Sequence, residues 1–425
     1  MIQKPKGTAD ILPSDIGIWQ YVEGVARKIF KQFGYAEIRT PMFEQFELFH
    51  RSVGESSDIV TKEMYDFKDK GDRHLALKPE GTAPIVRAFV ENKLYGPEYP
   101  KPYKVYYISP FFRYERPQSG RQRQFHQIGV ESFGVNAVTV DAEIIAMAWE
   151  FLKRLGLKDL ELHINSLGDE ASRQRYREAL IAYFKPLEGQ LSEDSRNRLE
   201  VNPLRILDSK DEADKKLLAK APKIEDYLSQ TSKDRFERLK NLLDILDIPY
   251  MLDPNLVRGL DYYQETIFEI IAHDEVFNGE LTVCGGGNYE GLVEEVSEGK
   301  DDSVGFGFGI GFERLLLLMQ AQKVALPEAE RPDLYIVGIG EETEDFVMKL
   351  LLKLRRQGII VERDFLNRKA KKQFREADRL GAQYVLVIGS KELESGQLTL
   401  KEMSSGEESP VALENFCQEP KNYLK

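Results

Sequence analysis

Apolar residues recur at helical spacing in SDIGIWQYVEGVARKIFKQFGY, with Ile18, Val22, Val25 and Ile29 on one face, Ser14 placed to cap the start and Gly34 to stop it. The following AEIRTPMF reads as a strand. PYKVYYISPFFRYE and QFHQIGVESFG are dense in Tyr, Val, Ile and Phe at alternating positions, with polar RPQSGRQR between them. That pattern predicts an antiparallel hairpin with a long basic tip. DAEIIAMAWEFLKRLG returns to the helical period, with Asp141 at the N-cap and Gly156 after the last turn, and DLELHINSLG alternates as a strand. Residues 170–247, which include SRQRYREALIAYF and DRFERLKNLLDILD, are charged, helical in period and nearly free of strand signal. They are expected to form an inserted helical module.

Strand patterns resume in ETIFEIIA and ELTVCGGGNYEGLV, and SVGFGFGIGFERLLLLMQAQ runs a Gly-rich strand into an apolar helix. Beyond LPEAERPDLY the texture changes to LYIVGIG, a helix from about Asp345 to Gly358, IIVERD, a basic helix, YVLVIGS and a polar tail. This alternation predicts a small α/β domain with a mainly parallel sheet, joined by a linker near Pro327 and Pro332. A chain of 425 residues exceeds what one core usually covers. The expected division is 1–325, interrupted by 170–247, and 331–425.

Only two cysteines occur, Cys284 and Cys417, far apart and without CxxC spacing, and the five histidines lack HxxxH spacing. A disulfide framework and a cysteine zinc site are excluded, and no protein-bound structural metal is expected. MIQKPKGTADILP has no apolar run after its lysines, and no stretch approaches the length of a membrane span, so cytoplasmic residence with no membrane partner is the expectation. A net charge of −12 argues against indiscriminate nucleic-acid binding, yet screening confines each patch to its own neighbourhood, so local basic stripes keep their meaning.

One such stripe lies in the predicted hairpin, where Arg113, Arg116, Arg121 and Arg123 border the tip and Phe125, Gln127, Gly129 and Glu131 share one face of the returning strand. A solvated hairpin tip would also carry arginines. The strand face decides otherwise, being too polar for a core and too varied for plain surface. Guanidinium forks match phosphate oxygens, a Phe face stacks a purine, and a carboxylate accepts from an N–H-bearing substrate. A second stripe, RDFLNRKAKKQFREADRLG, carries Arg363, Arg368, Lys369, Lys371, Lys372 and Arg375, a pattern shared by RNA-binding and plain solvated helices. GGGNYEGL and GFGFGIG are neither Rossmann nor Walker A loops, because the GxGxxG spacing before a helix and the GK[ST] ending are missing.

FRYE, FHQIGVE and GFGIGFERLLLL resemble the second and third signature motifs of class II aminoacyl-tRNA synthetases, and GYAEIRTPMFE with Pro41 resembles the first, which forms the dimer interface in that family. LVRGLDYY and GGGNYEGL are similar to the two histidine-specific signatures of the histidyl-tRNA synthetase family, and the resemblance spans essentially the whole chain, KPEGTAP included. Asn288 and Glu290 depart from the more usual Arg and Asp of GGGRYDGL. The implied fold is α+β: a class II antiparallel sheet flanked by helices, a helical insertion, and a C-terminal α/β anticodon-binding domain. The implied partners are L-histidine, ATP with Mg²⁺, tRNA(His) and a second copy of the chain.

The resemblance also implies residue roles. Arg113 would contact the α-phosphate and the substrate carboxylate, Arg258 would face the α-phosphate, Phe125 would stack on adenine, and Arg314 would close over the other face of the base. Glu115 would bind the adenine amino edge or orient the loop, with Arg121 beside it on the nucleotide. Glu131 and Tyr263 would meet the imidazole nitrogens beside Tyr262, while Glu80, Thr82 and Gln127 would hold the α-ammonium and carboxylate. Arg116 and Gln118 would meet the acceptor end of the tRNA, and Arg368, Lys369, Lys371 and Lys372 its anticodon arm. Three other readings compete: a silent paralogue that binds histidine and regulates another enzyme, an RNA-binding regulator, and a class II enzyme for another amino acid. Retention of RGLDYY, the arginines, Phe125 and Glu131 speaks against each.

Overall fold

The computed structural model describes residues 1–52, 59–118, 120–260, 262–274, 279–327 and 330–424. Asp261 of LVRGLDYY, Ser119 of the hairpin tip and residues 328–329 of the expected linker lie outside them. Two compact units are present, Met1–Leu326 and Pro327–Lys425.

Strands of the first unit are, in chain order, Ala36–Glu37 (β1), Phe43–Gln45 (β2), Asp66–Lys68 (β3), His74–Leu77 (β4), Tyr103–Phe112 (β5) and Gln124–Phe133 (β6). They continue with Leu160–Ser166 (β7), Tyr250–Leu252 (β8), Tyr263–Asp274 (β9), Gly279–Tyr289 (β10) and Gly305–Gly311 (β11). Eight of them form one sheet in the order β1-β5-β6-β11-β10-β9-β7-β8, while β2, β4 and β3 make a separate small sheet. The six inner strands are antiparallel, and only the edge pairs β1–β5 and β7–β8 are parallel. AEIRTPMF is therefore not one strand: its ends belong to different sheets, and Pro41, which has no N–H to donate to a ladder, sits between them.

Alternation decides what each face of the large sheet covers. Tyr106, Ile128, Val130, Phe306, Phe308 and Ile310 point toward the helices Ile16–Gln32, Val138–Arg154 and Phe312–Ala321 and build the larger core with them. Fully burying such a side chain stabilises the fold by roughly 1.5–3 kcal/mol. The opposite face carries Phe125, Gln127, Gly129 and Glu131 and the glycines of β11. That second face holds the site.

Two helix starts differ from the sequence expectation. Ser14 does not cap the first helix, which instead grows from a turn in which Asp15 and Ile16 donate backbone N–H groups to the Leu12 carbonyl. The helix Val138–Arg154 begins after Ala137, so Asp141 lies inside it, buried, accepting from Arg235 at 2.8 Å and Thr266 at 2.9 Å. A tertiary partner outcompetes the cap role that local pattern suggested. Between β7 and β8 the described chain is helical, from Glu170–Phe184 through short turns to Gln230–Ile245.

The second unit places Val361–Arg363 (β13) and Tyr384–Ile388 (β14) parallel on either side of Leu334–Gly338 (β12). Gln397–Glu402 (β15) and Glu408–Ala412 (β16) then extend the sheet antiparallel from β14. The polar tail thus contains a hairpin, and the sheet is mixed rather than mainly parallel. Its signal was the alternation of buried Leu398 and Leu400 with more exposed neighbours, masked by charge. The basic run is also divided: only Ala370–Arg379 is helical, and Asn367, at φ 51°, turns the chain before it.

Candidate functional site

β5 and β6 pair from Tyr103↔Phe133 to Phe112↔Gln124, which brings the residues that follow β5 and precede β6 to one end of the sheet. There Arg113, Glu115, Gln118, Arg121, Phe125, Gln127, Arg258 and Arg314 line a single cavity of about 1050 Å³. Three elements far apart in the chain deliver them: the hairpin, the loop before β9, and the helix after β11.

The cations are held without being neutralised one for one. Arg113 donates to the Pro79 carbonyl at 2.8 Å and lies over the Phe125 ring, 5.3 Å from its centre. Glu115 stands 3.8 Å from Arg113 and 3.5 Å from Arg121. Burial holds Arg314 below its ordinary pKa, and Arg121 and Arg113 push the same way against Glu115 and Glu269. Three guanidinium groups lining the cavity that the Phe125 ring also lines make a site whose field favours a polyanion. Arg258 is ion-paired to Glu269, which also accepts from Thr282 at 3.1 Å, and its charge lies 5.5 Å from the Tyr263 ring centre.

Glu80, Thr82, Glu131, Tyr262 and Tyr263 do not line that cavity; they form a buried cluster around Glu131, Thr82 and Tyr289. Glu131 accepts from the Thr82 hydroxyl at 2.8 Å and from the Tyr289 hydroxyl at 2.6 Å. Burial pushes its carboxyl up to about 8; the two hydrogen bonds oppose the rise and Glu80 adds to it. Glu80 accepts the backbone N–H groups of Thr82 and Ala83, each at 2.7 Å, and so caps the helix Thr82–Glu91. Tyr262 packs 4.8 Å from Tyr263 and 5.5 Å from Tyr289, ring centre to ring centre, and its buried hydroxyl has no hydrogen-bond partner among the described residues. Such a hydroxyl, in a cluster whose central carboxyl burial pushes up, suits a polar ligand.

The glycines of the neighbouring strands make room for this cluster. A side chain on Gly307 would begin 2.0 Å from Glu131 Oε2, and one on Gly285 would begin 2.3 Å from Arg258 Nη1. Gly309 and Gly311, by contrast, face the cavity. The first half of β11 thus accommodates protein side chains, since a side chain on Gly305 would begin 2.0 Å from Tyr289.

Several contributors escaped sequence reasoning. Tyr289 stood inside the quoted GGGNYEGL, and its role emerges only because β10 and β11 bring it to Glu131 across the sheet. Tyr107 lies over Gly129, its partner in the β5–β6 register, and Glu269 reaches Arg258. Of the two departures from GGGRYDGL, Asn288 is buried and Glu290 accepts from Asn136 at 3.0 Å. Arg116 is exposed, outside the cavity. In the second unit Arg368 is paired with Asp364 and lies 3.3 Å from Glu376, whereas Lys369, Lys371 and Lys372 are exposed.

The model of the histidyl-tRNA synthetase family matches residues 7–315, and that of an anticodon-binding domain matches 333–422. The chain is 58% identical over 412 residues to the histidine–tRNA ligase of Limosilactobacillus fermentum and 56% identical over 412 to that of Ligilactobacillus salivarius, covering 97% of this chain and 95% of each relative. The crystal structure of apo S. aureus histidyl-tRNA synthetase is similar at a TM-score of 0.85 and 41% identity, with 100% of both chains covered. With Glu131, the arginines and Phe125 placed on such a sheet, and these matches along nearly its full length, the chain belongs to the histidyl-tRNA synthetase family.

Proposed function

We propose that the chain activates L-histidine with ATP and transfers it to the 3′ end of tRNA(His), in the cytoplasm and as a homodimer. In the first step a histidine carboxylate oxygen attacks the α-phosphorus in line, the new P–O bond replaces the bond to the β-phosphate, and pyrophosphate leaves. In the second, a terminal ribose hydroxyl attacks the activated carbonyl and AMP leaves. Both steps depend on positioning anions and spreading negative charge.

Arg113 and Arg258 flank the α-phosphate, Arg113 also guiding the attacking carboxylate. A guanidinium fixed by Glu269 needs no reorganisation as charge develops, so Arg258 acts as preorganised stabilisation. Adenine takes the Phe125 face that Arg113 now covers, with Arg314 on the other side and Glu115 at the amino edge. Arg121 takes the outer phosphates, which enter already carrying Mg²⁺. On the amino-acid side Glu131 and Tyr263 meet the two imidazole nitrogens and Tyr262 closes the wall. Glu80, Thr82 and Gln127 hold the ammonium and carboxylate. Arg116 and Gln118 approach the acceptor end. Because Arg368 already serves two carboxylates, RNA contact in the second unit rests on Lys369, Lys371 and Lys372.

The convergence of Arg113, Arg121, Arg258 and Arg314 with Phe125 in one cavity carries this reading. The test is amino-acid-dependent exchange of pyrophosphate into ATP, without tRNA, across all twenty amino acids. Exchange with histidine alone is expected. Histidine binding without exchange would point instead to a silent regulatory paralogue.

A further inference from the structure

The helical module between β7 and β8 forms one wall of the cavity. Its turn Pro203–Ile206 anchors through Ile206, which with Leu199 and Leu207 is buried in the same cluster as Leu256, Val257, Tyr262 and Tyr263. A module that shares a close-packed core with the amino-acid side of the site is held in fixed register with it. From this turn Arg205 reaches the LVRGLDYY loop: its Nη1 lies 3.5 Å from the point where a side chain on Gly259, next to Arg258, would begin. Arg205, Gly259 and Arg258 all line the cavity.

The two arginines differ in how they are matched. Arg258 is tied to Glu269, and both are largely buried. Arg205 has Asp208 at 3.6 Å, a carboxylate 54% exposed, and exposed pairs of this kind are weak and screened. Its fork is therefore available to a stronger acceptor, and a phosphate oxygen is the acceptor whose geometry it fits. Lys210, exposed on the same wall, adds charge of the same sign.

We propose that Arg205 is a further phosphate-binding residue of this reaction, supplied by the inserted module to the mouth of the site; the inference rests on the ligase reading above. Two sources offer the phosphate, the polyphosphate of ATP and the phosphodiesters at the 3′ end of the tRNA. The experiment compares full-length Arg205→Ala, Arg205→Lys and Asp208→Ala with the unaltered chain, in histidine-dependent pyrophosphate exchange and in aminoacylation. Loss of one charge-assisted hydrogen bond predicts about a tenfold or larger rise in one KM for Arg205→Ala, with partial rescue by lysine. A rise in KM for ATP assigns the contact to the nucleotide; a rise in KM for tRNA assigns it to the acceptor end. Asp208→Ala, which leaves the fork in place, is expected not to raise that KM.

Both KM values staying within about twofold of the unaltered chain would overturn the proposal, as would a fall in kcat alone that tracks a fall in Tm. Equal effects of Arg205→Ala and Asp208→Ala would also overturn it, since the pair and not the cation would then matter. An unaltered chain without histidine-dependent exchange would sink the ligase reading, and this inference with it.

Discussion

A carboxyl sealed between Thr82 and Tyr289 gives up its proton reluctantly. Glu131 ionises at about 8 in the folded chain against an ordinary 4.5, so between those values the folded state keeps a proton that the unfolded chain has lost. Stability therefore falls as pH rises through that window. Glu131→Gln is expected to flatten this slope, read as Tm from pH 5 to 8; a slope equal to that of the unaltered chain would assign the effect elsewhere, Glu80 being the nearest alternative because burial raises it too. At Arg258 the same scale yields a two-part expectation. Arg258→Ala should reduce pyrophosphate exchange by orders of magnitude and also lower Tm, because Glu269 is left without its partner. Adding Glu269→Gln should restore Tm and leave exchange low; recovery of exchange would make the arginine structural. Period-two spacing made Phe125, Gln127 and Glu131 legible before any fold was known. Glu269 and Tyr289 were not legible, since their partners are set by the registers of β9, β10 and β11 and not by neighbours in sequence.

At the level of elements, local pattern succeeded where local forces dominate. The hairpin, the helix after β11 and the helical stretch between β7 and β8 follow from periodicity alone. It failed where a distant group took over, as with Asp141, whose carboxylate binds Arg235 from the inserted module and Thr266 from β9. Asn136 accepts from Arg235 at 2.7 Å and donates to Glu290, so one arginine links the insertion, the helix Val138–Arg154 and the residue that follows β10. Nearby, Glu265 at φ 46° kinks β9 and accepts from Ser232 at 2.8 Å. Removing one partner of a buried ion pair such as Arg235–Asp141 costs about 3–5 kcal/mol. Arg235→Met should therefore lower Tm and speed hydrogen exchange in the helix Gln230–Ile245; exchange there as slow as in the unaltered chain would show that apolar packing alone docks the module.

For the whole molecule, Met42 and Phe43 at the end of GYAEIRTPMFE and Phe67 on β3 are exposed at 40%, 52% and 41% on and beside the small sheet. Apolar side chains grouped this way suit burial against a second copy. On the proposed dimer, Phe43→Glu with Phe67→Lys is expected to shift sedimentation towards monomer and to lower aminoacylation in parallel; an unchanged dimer would place the interface elsewhere. The sheet order has a consequence in time. β6, with its last six residues buried, takes β5 as one neighbour at once, but its other neighbour is β11, which follows the whole insertion in the chain. At synthesis rates of ~5–20 residues per second, about ten to thirty seconds separate the two strands. Throughout that interval the nascent chain carries the central strand of its candidate site with one edge unpaired, so ribosome-bound fragments ending short of β11 are where protection by chaperones should matter most.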